Sequence, residues 1–147
     1  MILTEIDNWH KAARPNPTAD DLTVSIAVHI EEFGEMLMAL SGLTPEADDE
    51  LFQLEQHVLA VATRMKGGHI PVIVQGLCRE DLLDSLADQI VTAVGVGHCA
   101  GMNTVVACER VNRSNWTKAV DGKFQRNEHG KIIKPDTYVP PDLNGLW

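Results

Sequence analysis

Six carboxylates fall in two short runs, Glu31, Glu32 and Glu35 and then Asp81, Asp84 and Asp88. Residues three, four or seven apart share one side of an α-helix. Glu35 therefore lies one turn from both Glu31 and Glu32, and the three aspartates form a single stripe opposite Leu82, Leu86, Ile90 and Ala93. A lone charge on a helix that also packs a core costs roughly several kcal/mol, so it is neutralised, paired or bound to a metal. Like charges held close raise each other's pKa, and a divalent ion removes that penalty. Few basic residues lie near either run in sequence. Oxygen ligands converging on a hard cation such as Mg²⁺ thus explain the pattern better than salt bridges. The expected ligands are Glu32, Glu35 and Asp88, with Asp84 beside them. Glu31 alone is compatible with a solvated face, and Glu80 and Asp81 sit near a helix start, where acids are favourable without any ligand.

The elements that must position these groups are mostly helical. Ile2, Ile6 and Trp9 are spaced for one face of a helix over about residues 2–13, ended by Pro15 and Pro17. Thr18 is the expected N-cap of the next helix, with Asp20 and Asp21 in its first turn. Leu22, Ile26, Ile30, Phe33, Leu37 and Leu40 give that helix its apolar face as far as about Ser41, with Gly42 as the stop. Leu51, Leu54, Val58, Val61 or Ala62, and Met65 mark a third helix over about residues 46–66, closed by Gly67-Gly68. A loop with Pro71 and Gly76 follows, in which Val72, Ile73 and Val74 are candidates for a brief strand. The fourth helix, over about residues 79–100, has so many apolar positions that it is expected to be central and buried on several sides. A fifth spans about residues 103–118. Asp121-Gly122 marks a turn, and Asn127 to Gly130 are placed to close a small hairpin between Lys123–Arg126 and Lys131–Lys134. Pro135, Pro140 and Pro141 predict an extended tail suited to wrapping a neighbour. The expected architecture is all-α: an antiparallel bundle of four to five helices with an irregular tail over residues 119–147.

At 147 residues the expectation is one domain, long enough to bury a core without staples. The net charge of −9 disfavours nucleic acid and anionic membranes as partners. The basic residues gather late, from Arg110 to Lys134, so an acidic body suited to a metal is followed by a segment suited to phosphate. No apolar run is long enough to span a membrane. Cys78, Cys99 and Cys108 are scattered without ligand or disulfide spacing, and Met1 to Asn8 lack a signal pattern. A cytoplasmic location is expected. Gly95-Val96-Gly97-His98-Cys99-Ala100 has the form of a dinucleotide fingerprint, but it lacks the strand before it and the acid after it. Those glycines are better read as sites of close helix packing. His29 and His98 do not form the paired Glu-x-x-His of a di-iron bundle. Trp9, Trp116 and Trp147 read as packing residues, with Trp9 the one placed to line a base pocket.

Taken together, His29-Ile-Glu-Glu-Phe-Gly-Glu35 resembles the Glu-Glu-x-x-Glu motif of MazG-like all-α nucleoside triphosphate pyrophosphohydrolases, and Leu82-Leu-Asp-Ser-Leu-Ala-Asp88 resembles their second acidic motif. Val111 to Lys118 with Asp121-Gly-Lys123 resembles the third segment of the phage and bacterial branch, near the phosphoribosyl-ATP pyrophosphohydrolase-like members. Asn127 to Lys131 and Pro140 to Leu143 fit that branch's tail. The resemblance covers about residues 20–143. It implies hydrolysis of a nucleoside triphosphate, a deoxynucleotide by expectation, to monophosphate and pyrophosphate. Mg²⁺ is the implied cofactor, with Mn²⁺ as a substitute. Glu32, Glu35 and Asp88 are the implied ligands, Asp84 a fourth, and Glu31 a ligand or the base that orients water. Asn112, Asn115 and Lys118, with Arg113 and Lys123 as weaker members, are implied to hold phosphates or sugar. The family assembles as homodimers or homotetramers. Its second motif usually reads Glu-x-x-Asp, whereas here Ser85 precedes Asp88, and Asp84 is the substitute one position earlier. A catalytically silent nucleotide- and metal-binding helical oligomer is the alternative that Ser85 raises.

Overall fold

In the computed structural model, which describes residues 1–147 apart from Gln75 and the Leu77 side chain, the described chain is all-α. In order, it holds α1 (Ile2–Ala13), α2 (Ala19–Met38), α3 (Pro45–Lys66), a 3₁₀ turn at Gly76–Cys78, α4 (Arg79–Cys99), α5 (Thr104–Trp116), β1 (Ala119–Val120) and β2 (Lys123–Phe124). Gln75, part of the expected loop, lies outside the described residues. Three helix starts carry side-chain caps, which satisfy backbone N–H groups that have no partner inside the helix. Thr18 Oγ1 accepts from Asp21 N, while Asp21 Oδ2 accepts from Thr18 N, a full capping box. Thr44 caps α3 with Pro45 at its first position, and Asn103 caps α5.

The chain divides into two compact units. One comprises Pro17–Ile73 and Arg126–Lys131; the other comprises Met1–Asn16, Val74–Gln125 and Ile132–Trp147. In the first, α2 and α3 form an antiparallel hairpin. Its deepest residues are Val24, Ala27 and Leu37 on α2 and Ala62 and Met65 on α3. This stripe sits beside the expected one; Phe33 and Leu40 are exposed. The reason is close approach. A Cβ on Gly34 would stand 2.5 Å from Leu59 Cδ2, so the small residues of α2 face α3 rather than the bulky ones. Helix α2 stops at Met38, three residues before the expected Ser41, and Gly42 is not its cap. Gly42 instead donates its N–H to Asp48 Oδ1 in the first turn of α3. Val72, Ile73 and Val74 form no strand; Val72 N donates to the Thr23 hydroxyl at 3.3 Å.

In the second unit, α1 packs on α5, burying Trp9, Ala13, Asn112 and Ser114. Phe124 meets both Trp9 and Trp116. Asp121 and Gly122, at φ 50° and 74°, make the two-residue turn joining β1 to antiparallel β2. The tail lies along its own α5. Ser114 Oγ donates to Val139 O at 2.6 Å, and Arg110 Nη1 donates to the carbonyls of Asp142 and Asn144. The expectation of a buried, central α4 is overturned. Gly97 is its one buried described residue, while Leu83 and Val91 are about 70% exposed. The apolar residues of α4 run all round the helix, so no stripe selects a packing face. Within its unit it meets α5 across the short turn before Thr104. A Cβ on Gly97 would clash with the Thr104 side chain, whereas Gly95 has open space. Close packing therefore accounts for one glycine of the pair.

Candidate functional site

The first acid run sits on α2, held by the hairpin with α3. Glu32 and Glu35 are exposed and one helical turn apart. Glu31 turns toward α3 and is half-buried. Its Oε1 accepts from Lys66 Nζ and its Oε2 from Lys131 Nζ at 3.2 Å. Burial alone pushes this carboxyl up, but the hydrogen bonds from Lys66 and Lys131 and their charges outweigh it, leaving the group below its ordinary value. The absence of nearby bases in sequence was therefore misleading for Glu31, because its partners lie 35 and 100 residues away. Two ammonium groups against one carboxylate leave a net positive cluster beside Glu32 and Glu35.

Lys131 is placed by the loop Arg126–Lys131. Asn127 Oδ1 accepts from the N–H groups of His129 and Lys131, and Asn127 N donates to Lys131 O, closing the expected turn. At its other end Arg126 Nη1 donates to buried Asp21 Oδ1 at 2.8 Å. The loop is thus tied to α2 at two acids ten residues apart, a span of about 15 Å along the helix.

Asp84 and Asp88, with Asp81, are exposed on α4 in the other unit. The backbone carbonyl of Asp88 accepts from Thr92 Oγ1. Among the described residues no group of three or more His, Cys, Asp or Glu side chains is gathered as a metal centre. Both acid pairs supply accessible carboxylate oxygens, the donor type that hard divalent ions take. Glu32 with Glu35, and Asp84 with Asp88, thus fit Mg²⁺ in donor chemistry.

The third expected set divides in two. Asn115 Oδ1 accepts from Lys118 Nζ at 2.6 Å, and that ammonium lies 5.7 Å from the ring centroids of both Trp9 and Tyr138. Asn112 and Arg113 instead line a cleft with Glu5, Asn8, Glu109 and Trp116. Lys123 is exposed on β2. The residues beside Glu31 that the sequence did not single out are Lys66 and Lys131, which carry no local motif. Trp116, expected to pack, rests against Phe124 with ring centroids 6.1 Å apart.

A scan against protein-family models, a search of curated proteins and a search of solved structures found no match. No single described helix is long and apolar enough to cross a membrane.

Proposed function

We propose that this protein is an Mg²⁺-dependent nucleoside triphosphate pyrophosphohydrolase releasing a monophosphate and pyrophosphate. The observation that carries this reading is the arrangement on α2, where exposed Glu32 and Glu35 stand next to Glu31 with its two lysines. Oxygen donors for a divalent ion thus share α2 with a carboxylate that holds two cations, and a metal–triphosphate complex takes both kinds of group. A bound divalent ion supplies neutralisation of phosphate charge and a lowered water pKa. The chain's own residues do the rest. Glu32 and Glu35 would hold the ion from α2; Asp84 and Asp88, one turn apart on α4, are a second carboxylate pair of the same donor type. Lys66 and Lys131 draw phosphate oxygens in. Glu31 keeps the two ammonium groups in place, a role distinct from ligand or base. The motif order shared with MazG-like enzymes adds support.

Ser85, where that family carries glutamate, favours a second reading as a silent nucleotide- and metal-binding oligomer. Glu35→Gln separates the two. The hydrolase reading predicts loss of monophosphate release by at least about a hundredfold with helical content unchanged, because an exposed glutamate contributes little to the fold. Turnover equal to that of the unaltered chain would sink the assignment of Glu35.

A further inference from the structure

We propose that the loop Arg126–Lys131 is a gate over a cavity of the α2–α3 hairpin, anchored at Arg126 and released at Lys131. All the residues involved belong to one compact unit, and the gate stands whether or not the protein hydrolyses nucleotides. The cavity encloses about 520 Å³, within the range of small-molecule sites, roughly 300–1,000 Å³. On one side it is lined by Thr23, Val24 and Met65, each buried in the hairpin, and on the other by residues 126–130 of the loop.

The loop, Arg126-Asn-Glu-His-Gly-Lys131, carries no apolar side chain to bury against the hairpin. Charge holds it instead. Arg126 Nη1 donates to Asp21 Oδ1 at 2.8 Å, and Lys131 Nζ donates to Glu31 Oε2 at 3.2 Å. Neither contact is needed for the shape of the loop itself. Asn127 Oδ1 accepts from the N–H groups of His129 and Lys131, and Asn127 N donates to Lys131 O. Gly130 supplies the left-handed residue of the turn, at φ 78°. The loop therefore keeps its form when one end lets go.

The two ends are unequal. Asp21 is 7% exposed, and its Oδ2 is engaged by Thr18 in the capping box. Withdrawing Arg126 would strand a nearly buried carboxylate, which is the costly way to break an ion pair. Lys131 is 44% exposed, and Glu31 keeps Lys66 when Lys131 leaves. Neither charge is then stranded: the ammonium passes into water and the carboxylate stays paired. The Lys131 end therefore opens first, and the Arg126 end is the hinge. Salt favours the open form, because the pair that must break is ionic and well solvated.

Met65, on the hairpin side of the cavity and 3% exposed, is a native reporter of opening. The full chain is treated with dilute peroxide and sulfoxide formation is followed peptide by peptide, with the exposed Met36 and Met102 as internal standards. Raising NaCl from about 20 mM to about 0.5 M should speed Met65 oxidation by about two- to fivefold relative to those standards, the range that loss of a solvated ion pair gives. Lys131→Gln should show the raised rate already at low salt and gain little from NaCl. Hydrogen exchange along α3 should be unchanged in both cases, which separates opening of the loop from loosening of the hairpin. Met65 oxidation that responds neither to NaCl nor to Lys131→Gln overturns the gate. A salt response as large in Lys131→Gln as in the unaltered chain overturns release at Lys131. Faster exchange along α3 in step with Met65 oxidation also overturns the gate, because the hairpin itself would then be opening.

Discussion

Glu31→Gln would keep the shape of the side chain and leave Lys66 and Lys131 facing an uncharged amide. The side chains of Glu31 and Lys66 are each 20% exposed, and that of Lys131 is 44% exposed. The Lys66 pair therefore lies between two regimes, exposed ion pairs at about 0–1 kcal/mol and broken buried pairs at about 3–5 kcal/mol. We take about 1.5 kcal/mol for it and about 0.5 kcal/mol for the more solvated Lys131 pair, together about 2 kcal/mol. For a chain of this size that is a fall in melting temperature of about 4–8 °C. The effect depends on pH in a definite direction. The Glu31 carboxyl is held below its ordinary value by the lysines in spite of its burial. Its contribution is then complete above the unfolded carboxyl value of about 4.3 and is lost as pH falls through the lower folded value. Thermal melts followed by circular dichroism at low salt should show a constant gap between the two proteins from about pH 8 to about pH 5, closing in more acid solution. Equal melting temperatures at neutral pH, or a gap that survives full protonation, would refute this account of Glu31.

Three further perturbations test the framework. Thr18→Ala removes the acceptor of Asp21 N in the capping box and should cost about 1 kcal/mol in urea unfolding. Gly34→Ala gains about 1 kcal/mol in helix propensity but places a Cβ 2.5 Å from Leu59 Cδ2, so overpacking of about 1–3 kcal/mol should leave a net loss; a more stable variant would contradict the drawn α2–α3 contact. Ser114→Ala orphans its 2.6 Å hydrogen bond to Val139 O and should cost about 1–2 kcal/mol, with earlier cleavage between Tyr138 and Trp147 in limited proteolysis.

What the sequence disclosed about this fold was local. Thr18 with Asp21, the helical period along α2 and α3, and Asp121-Gly122 each act within a few residues; the cap, the two helices and the turn appear where expected, while the buried stripe of α2 lies beside the expected one. Partnership over long distances was not legible. Nothing near Glu31 announces Lys66 or Lys131, and nothing near Val139 announces Ser114. Apolar content also misled for α4, because composition measures how much surface a helix offers for burial, not whether a neighbour covers it. At the candidate site the one-turn spacing of Glu32 and Glu35 followed from helical period alone, whereas their exposure did not. The division of Asn112 and Arg113 from Asn115 and Lys118 did not, because it depends on where α1 lies against α5.

The central claim is tested most directly by resolving products from a panel of ribo- and deoxyribonucleoside triphosphates incubated with the full chain and Mg²⁺ or Mn²⁺. Chromatography separates monophosphate plus pyrophosphate from diphosphate plus phosphate. The account predicts the first pair from at least one substrate, with release dependent on the divalent ion. Diphosphate and phosphate alone, or no product from any member of the panel, would contradict it.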